Sequence, residues 1–325
     1  MTPDFDILIG GQSIKGNVND RLLDLTVSDD QGQRSDACNF TVDDRDQALA
    51  IPRRGALLSV MLGYRETGLT HMGLFTVDEI GLQGGPRQMS ISAKAADMRE
   101  TLKEQKTRRF EQKSLGDIVG EIAGDHQLRP AIAESLASRV LPFLGQTEES
   151  DLHLLTRLAR DHGALFKVAN GSLLFTAKGK GQSASGQSLA PVVISPANVI
   201  TWNVTLQDRP QHKEIRSHWH DRGKAERKIE KSGGSGGEAA FMLRHDAPSQ
   251  EEAQWQAEAR SGDLARAEGS LEAELIGNPA VAAEMPAVMR GLRTGIDGIQ
   301  WTITRAEHKL SGGGYTTSIS AELKA

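Results

Sequence analysis

Between Leu22 and about Ala95, apolar and polar residues alternate in short runs broken by turn residues: LLDLTVSDD, ACNFTVDD, ALLSVMLGY, GLFTVDEIGL and RQMSISAKA. A period of two marks strands with one buried face, so this stretch predicts a β-barrel or sandwich. Asp43 to Ala50 predicts one short helix within it, since its acids suit a helix start and Pro52 ends the run. Between about Glu100 and Ser195 the period becomes helical. In SLGDIVGEIAGDHQL, Ser114 can cap a helix whose Leu115, Ile118, Val119 and Ile122 share one face. AIAESLASRVL signals a second helix. TEESDLHLLTRLARDHGALFKV signals a third, with a stripe of Leu152, Leu155, Leu158 and Ala159 and a stop at Gly163. Two apolar strands then flank Asn170-Gly171, a strong hairpin signal. GKGQSASGQS, residues 179 to 188, reads as a flexible loop, and strands return at VITWNVTLQ. KSGGSGG, residues 231 to 237, reads as a second flexible loop. A helix from about 249 to 268 follows, starting at SQEEAQW, and strand patterning then runs to the C-terminus.

The two β-rich ends resemble each other. Residues 73 to 93 read GLFTVDEIGLQGGPRQMSISA and residues 298 to 321 read GIQWTITRAEHKLSGGGYTTSISA. Phe75-Thr76-Val77 corresponds to Trp301-Thr302-Ile303, and Ser90-Ile91-Ser92-Ala93 to Ser318-Ile319-Ser320-Ala321. Two copies of one barrel in a chain suggest duplication. Three such chains would present six similar modules around one axis, which makes a symmetry adapter. On this reading Phe75 and Trp301 occupy equivalent positions, and the helix near 249 to 268 takes the place of the short helix near 43 to 50.

Length and composition narrow the functions. A chain of 325 residues exceeds what one core organises, so several domains are expected. With 38 Lys plus Arg against 43 Asp plus Glu, charge is mildly acidic, which disfavours tight DNA binding. The densest basic clusters, Lys103 to Arg109 and Arg222 to Lys228, are interrupted by acids or polar residues and read as solvated surface. One cysteine, Cys38, supports no disulfide framework and reads as a small half-buried strand residue. The N-terminus carries acids where a secretory signal has basic residues, and no run approaches a membrane helix, so folding in the cytoplasm and no stable membrane insertion are expected.

Five segments together resemble the phage late control gene D family: GYRETGLTHMGLFTVDEI, ISAKAADMRETLKEQKTRRF, SLGDIVGEIAGDHQL, QTEESDLHLLTRLARDHGALFKVANGSLLF and IDGIQWTITRAEHKLSGGGYTTSISAEL. The family is similar to the hub of Mu-like and T4-like baseplates and to the hub portion of type VI secretion spike proteins. The resemblance implies a homotrimeric ring stacked between the tail tube protein and a spike, in the virion tail baseplate, with other baseplate proteins around it and DNA only passing through the lumen. Because this chain stops after Ala325 without a following oligosaccharide-binding-fold module or β-helix, a separate spike protein is expected. The expected fold is α+β, predominantly β: a tube-like β-barrel at 1–100, a helical and hairpin middle domain at 101–195, and a second tube-like β-barrel at 196–325.

Chemistry has few candidates. Glu148, Glu149 and Asp151 invite a general acid/base reading, as in a cell-wall hydrolase. Their place at a helix start explains them through the helix dipole. His218 and His220 flank Trp219 and could share a metal on one strand face, but no further ligand has a recognisable spacing, so exposed polar residues are expected. His126, His153 and His162 lack the zinc-protease spacing and read as structural. Phosphate loop, dinucleotide fingerprint and serine elbow are missing. SLGDIVGEIAGDHQL also resembles the helical part of peptidoglycan-binding LysM modules. A structural hub is therefore expected, not an enzyme, with no catalytic residues, cofactor or metal. The competing readings are a tail-tip cell-wall hydrolase and a late transcription regulator, the latter without any basic recognition helix to support it.

Overall fold

The computed structural model describes every residue except 33–35, 96–99, 170, 182–186, 208–211, 222, 235 and 325. Strands dominate, and no described helix is long and apolar enough to cross a membrane. The first region holds β1 (Pro3–Ile9), β2 (Gln12–Ser13), the one-turn α1 (Lys15–Val18), β3 (Leu22–Asp30), β4 (Ala37–Asp43), β5 (Leu57–Tyr64), β6 (Gly68–Gln83) and β7 (Gln88–Ala95). Alternation drives these strands: Leu25 and Val27 of β3, Phe40 and Val42 of β4, and Met89, Ile91 and Ala93 of β7 all point into one core. Cys38 lies wholly within that core rather than half-buried. The helix expected at 43–50 does not form: Asp43 ends β4 and residues 44–50 make turns and irregular chain, where Asp43 and Asp46 accept from the Arg45 and Ala48 amides, local bonds that compete with helical pairing.

The middle region opens with a 3-10 turn (Glu100–Lys103). It continues with β8 (Gln105–Ser114), α2 (Leu115–Asp125), β9 (Arg129–Ile132), the one-turn α3 (Glu134–Ala137), β10 (Val140–Ser150), α4 (Asp151–Asp161), β11 (Ala164–Ala169) and β12 (Ser172–Ala177). The helix expected from AIAESLASRVL shrinks to α3. Ala131 and Ile132 are drawn into β9 beside Leu174 and Phe175, and Val140 and Leu141 into β10 beside Ser114 and Lys113. Both long helices begin at a serine that accepts from the third helical residue: Ser114 from Asp117, with a reciprocal capping box, and Ser150 from His153. Their buried faces form a core of their own with Phe166, Leu173 and Phe175.

The last region comprises β13 (Val192–Ile194), β14 (Val199–Leu206), β15 (His212–Asp221), β16 (Glu226–Gly233), β17 (Ala239–Met242), α5 (Gln250–Arg266), β18 (Gly269–Ile276), β19 (Pro286–Met289), β20 (Gln300–Ser311) and β21 (Gly314–Leu323). Its core centres on Trp301, Ile303, Leu271 and Ile319. β15, β16 and β17 make a small separate sheet on which α5 packs. The loop expected at 231–237 is instead part strand: Lys231, Ser232 and Gly233 pair with Arg216, Ile215 and Glu214. A Cβ on Gly234 would meet the His212 carbonyl oxygen at 1.8 Å, so this glycine serves close backbone packing and not freedom of movement. The centre of the 179–188 stretch lies outside the described residues.

One 13-stranded sheet joins the first and last regions, because β20 pairs antiparallel with β3, Glu307 opposite Ser28 and Lys309 opposite Thr26. Within it two sets of six strands follow one order: β3-β4-β7-β6-β5-β1 and β14-β18-β21-β20-β19-β13. The correspondence extends to register. Leu22 pairs with Val42 and, after a bulge, Asp24 with Thr41; Val199 pairs with Leu275 and, after a bulge, Thr201 with Glu274. Val77 pairs with Ala93 and, after a bulge, Glu79 with Ser92; Ile303 pairs with Ala321 and, after a bulge, Arg305 with Ser320. Phe75 and Trp301 sit two residues before the matching bulges, and both are buried. One pair differs, since β1 runs antiparallel to β5 while β13 runs parallel to β19. The helix α5 has no counterpart at 43–50, because it precedes β18, whereas that segment follows β4, the partner of β18 in the other set.

Candidate assembly surface

A strand that buries every second side chain leaves the others on the opposite face, and here that face is mostly polar across eight strands, with Ile276 exposed opposite Thr316 as an exception. Asn203, Glu272 and Ser320 stand in one cross-strand row that continues to Arg305 and Asp30; Thr316, Lys309, Thr26, Asn39, Ser92 and Glu79 make a second. Short Ser, Thr and Asn side chains alternate with charges. Two positive groups on it are engaged: Arg305 donates to Glu307 at 2.6 Å, and Lys94 contacts Asp78 at 2.5 Å. Glu79, Asn203 and Glu272 are exposed. Such a surface is polar and without excess positive charge.

The edges of the sheet carry the opposite signal. Among the described residues, β14 pairs on one side only, with β18, and residues 79 to 83 of β6 pair only with β7. Unpaired edges expose backbone donors and acceptors, and soluble proteins rarely leave them long and apolar. Both edges nevertheless expose large apolar side chains: Leu82 is 61% exposed, Leu206 56% and Ile200 52%.

The junction of the regions is tied by polar groups that the sequence does not single out. Lys167 of β11 donates to Asp29 and Asp36 at 2.5 and 2.8 Å, and Asp29 also accepts from the Ala283 amide. Tyr64 donates to the Gly277 carbonyl at 2.8 Å and stacks near Tyr315. His308 donates through Nε2 to the Val281 carbonyl and meets Tyr315 through Nδ1, and burial lowers its pKa.

The carboxylates flagged at the start of α4 are separated in role. Asp151 is wholly buried and accepts from Arg108 at 2.5 Å, Lys106 at 2.7 Å, His126 Nε2 at 2.8 Å and Gln146 at 2.9 Å. Since a carboxylate can only accept, the proton lies on Nε2 of His126, whose Nδ1 faces the Thr101 hydroxyl at 2.9 Å. Burial would raise the Asp151 carboxyl, but the bonds from Lys106, Gln146 and His126 and the Arg108 charge outweigh it and hold the group at about 2. The helix dipole is thus a minor part of the explanation for Asp151: it is a buried tie between β8, α2, β10 and α4. Glu149 instead pairs with Arg157 at 2.8 Å, and Glu148 has a positive φ with its amide bonded to Thr107. His162 is buried against Trp255, and burial together with the nearby Arg139 pushes it down to about 4; His153 is exposed. His218 is half-buried rather than exposed, because β15 is the central strand of its small sheet, while His220 is exposed. Among the described residues no group of three or more His, Cys, Asp or Glu is arranged to hold a metal.

Comparison with known proteins places this architecture. The family described as phage tail baseplate hub (GPD) matches residues 39–313. A probable baseplate hub protein of Escherichia phage P2 is 30% identical over the whole of this chain and 94% of its own. The 43 kDa tail protein of prophage MuSo2 from Shewanella oneidensis has the same fold, with a TM-score of 0.73, 14% identity and 98% of each chain covered. An Escherichia coli component of the type VI secretion system, described as structurally similar to T4 tail proteins gp27 and gp5, follows with a TM-score of 0.61 and 11% identity over 94% of this chain and 74% of its own. The match over most of the sequence, on a fold shared with tail proteins, shows that this chain belongs to the phage tail baseplate hub family.

Proposed function

We propose that this hub acts as a trimeric symmetry adapter in a contractile tail, with two tube-like barrel modules per chain and the middle region set between them in sequence. Three chains give six modules, matching a six-fold tail tube on one side, while the trimer itself offers three-fold symmetry to a spike. The observation that carries this reading is the repeat of strand order, pairing register and both bulges in two sets of six strands. In this role the polar face lines the lumen. A wall of Ser, Thr, Asn and acids with engaged cations does not hold phosphates, so DNA passes without gripping. The hub nucleates tube growth after assembly in the host cytoplasm and contacts spike and other baseplate proteins. Its role is structural and not catalytic, in keeping with the ion pairs that occupy Glu149 and Asp151 at the start of α4. Electron microscopy and native mass measurement of the purified protein test this: a ring of three chains with six peripheral lobes is expected, and a two-fold or open assembly refutes it. Peptidoglycan zymography of the same sample is expected to show no clearing, and a cleared band would restore the hydrolase.

A further inference from the structure

Outside the large sheet, a cavity of about 470 Å³ opens between the middle region and α5. Three elements wall it: α4 supplies Arg157, Arg160 and Asp161, α5 supplies Arg260 and Asp263, and the segment after β17 supplies Arg244. That segment is fixed at both ends, because the Leu243 amide donates to the Arg216 carbonyl at 2.8 Å and the Ala247 amide to the His218 carbonyl at 2.7 Å. Four guanidinium groups therefore face two carboxylates, and the carboxylates already have partners. Asp263 accepts from Arg266 at 2.6 Å and from Lys178 at 3.2 Å, and Asp161 from Arg160 at 3.3 Å. Arg157 is held by Glu149. Arg244 and Arg260 have no carboxylate partner among the described residues; Arg260 lies over the Phe241 ring, 5.1 Å from its centroid. A chain of net charge -5 thus gathers uncompensated cations in one concave place.

A second hollow of about 310 Å³ adjoins the first, since Arg160 and Asp263 line both. Its wall includes Ala159, Leu165 and Phe166, and its one further cation among the described residues, Lys178, is tied to Asp263 and lies 3.7 Å from Glu322. We propose that this double hollow binds an acidic peptide segment of another baseplate protein, with carboxylates on Arg244, Arg260 and Arg160 and an apolar side chain against Leu165. Guanidinium groups fork onto carboxylates and phosphates alike, so the rest of the wall decides between them. A nucleic-acid strand would bring its next phosphates into a hollow whose cations are already paired, and past Asp161 and Asp263. A peptide places an apolar residue there instead. A free inorganic anion would leave most of both hollows unfilled. The inference goes beyond the ring reading and holds for one chain or for three.

Fluorescence anisotropy on the full chain tests it, with a labelled pentapeptide carrying leucine between two pairs of glutamates, labelled pentaglutamate and labelled octathymidylate as probes. The leucine peptide should bind, more weakly as salt rises. Arg244→Ala with Arg260→Ala should weaken it about tenfold or more. Removing the same charge at two exposed positions, Arg53→Ala with Arg54→Ala, should change it less than about twofold. Arg244→Lys with Arg260→Lys keeps the charge without the fork and should fall between. Should loss of the Arg260 contact with Phe241 lower the thermal midpoint, Arg244→Glu at its exposed position is expected to give the same loss of binding in a stable chain. Pentaglutamate should bind about threefold more weakly than the leucine peptide, and octathymidylate about tenfold more weakly. A roughly tenfold molar excess of inorganic phosphate should leave most of the peptide bound. No peptide binding, or equal loss from the two double alanine variants, overturns the site. Octathymidylate binding as tightly as the peptide, or displacement by phosphate, overturns the assignment to a peptide. Equal binding of the two peptides overturns the role given to Leu165.

Discussion

Replacing Asp151 by Asn keeps the shape of the side chain and removes its charge, so it isolates the electrostatics of the middle region. In the native protein the carboxylate receives four donors, two of them cationic, in a fully buried position. Breaking a buried pair by removing one partner typically costs about 3–5 kcal/mol. Two features place Asn at the lower end, about 3 kcal/mol: Lys106 and Arg108 keep partial contact with water, and Asp125 remains 2.8 Å from Arg108. The pH dependence follows from the carboxyl being held at about 2 against an ordinary 3.8. A lowered folded value contributes stability that is fully present above the unfolded value and is lost as pH falls toward the folded one. Asp151 therefore contributes about 2 kcal/mol near pH 6, of which about 1 kcal/mol is lost by pH 3. Hydrogen exchange of the α2 and α4 amides, read by mass spectrometry at both pH values, measures this locally. Exchange in those helices should rise by about two orders of magnitude in the variant at pH 6, where about 1.4 kcal/mol is tenfold, and the gap from native should shrink at pH 3. Unchanged protection at pH 6, or a gap independent of pH, would refute the reasoning.

Glu284, at a positive φ, is pushed up to about 7 mainly by burial, with Glu322 adding to the rise. A raised carboxyl costs nothing while both states are protonated, destabilises progressively as pH climbs from about 4.5 to 7, and keeps its full cost above that. Glu284→Gln should accordingly raise Tm at pH 8, by the equivalent of about 3 kcal/mol, and leave it unchanged at pH 4; equal shifts at both pH values would contradict this. Gly277→Ala would place a Cβ 2.3 Å from the Tyr315 ring at the junction of the modules. It should cost about 1–3 kcal/mol by overpacking, seen as a lower midpoint in urea, and a native midpoint would show that Tyr315 can move aside. Leu155, wholly buried in α4, should not tolerate Asp: loss of soluble protein is expected in expression trials, because an unpaired buried carboxylate costs several kcal/mol.

The elements legible in the sequence are those whose cause is local. Alternation announces β3 to β7, and serine caps with apolar stripes announce α2, α4 and, with its acids, α5. What escapes notice has a distant cause. β8 and β10 form a ribbon so polar that Phe110, Leu141, Leu144 and Gln146 are nearly its whole buried surface. β15 and β16 are charged on both faces and become strands through each other and through α5. β1 hides in the acidic N-terminus, yet Phe5 and Ile7 are core residues. The acids at 148, 149 and 151 are conspicuous as a cluster, but the cations that hold Asp151, Lys106 and Arg108, come from 45 and 43 residues away, while Glu149 turns to Arg157 in the helix just after it. Leu82 and Leu206 likewise look like ordinary strand residues, and only the sheet order shows that they lie on edges without a neighbouring strand among the described residues.

A second repeat lies inside the first, and it accounts for the site that sequence reasoning approached from the wrong side. Each long helix of the middle region follows a strand, starts at a capping serine, runs 11 residues and ends at a histidine cap: Ser114 to His126, and Ser150 to His162. Positive φ recurs at Gln112 and Glu148 before the caps, and at Gln127 and Gly163 after them. Ile118, Val119, Ile122 and Ala123 match Leu154, Leu155, Leu158 and Ala159 in position and burial. The two copies then diverge where they face each other. The second places Asp151 where the first has Leu115, and His126 of the first reaches that carboxylate. His162 of the second meets Arg139 through Nδ1 instead and stays buried against Trp255 of α5. The carboxylate cluster thus reads as the seam between two copies of a strand-helix unit. That gives the middle region the same construction as the sheet around it: similar units joined by contacts that only one copy of each residue makes.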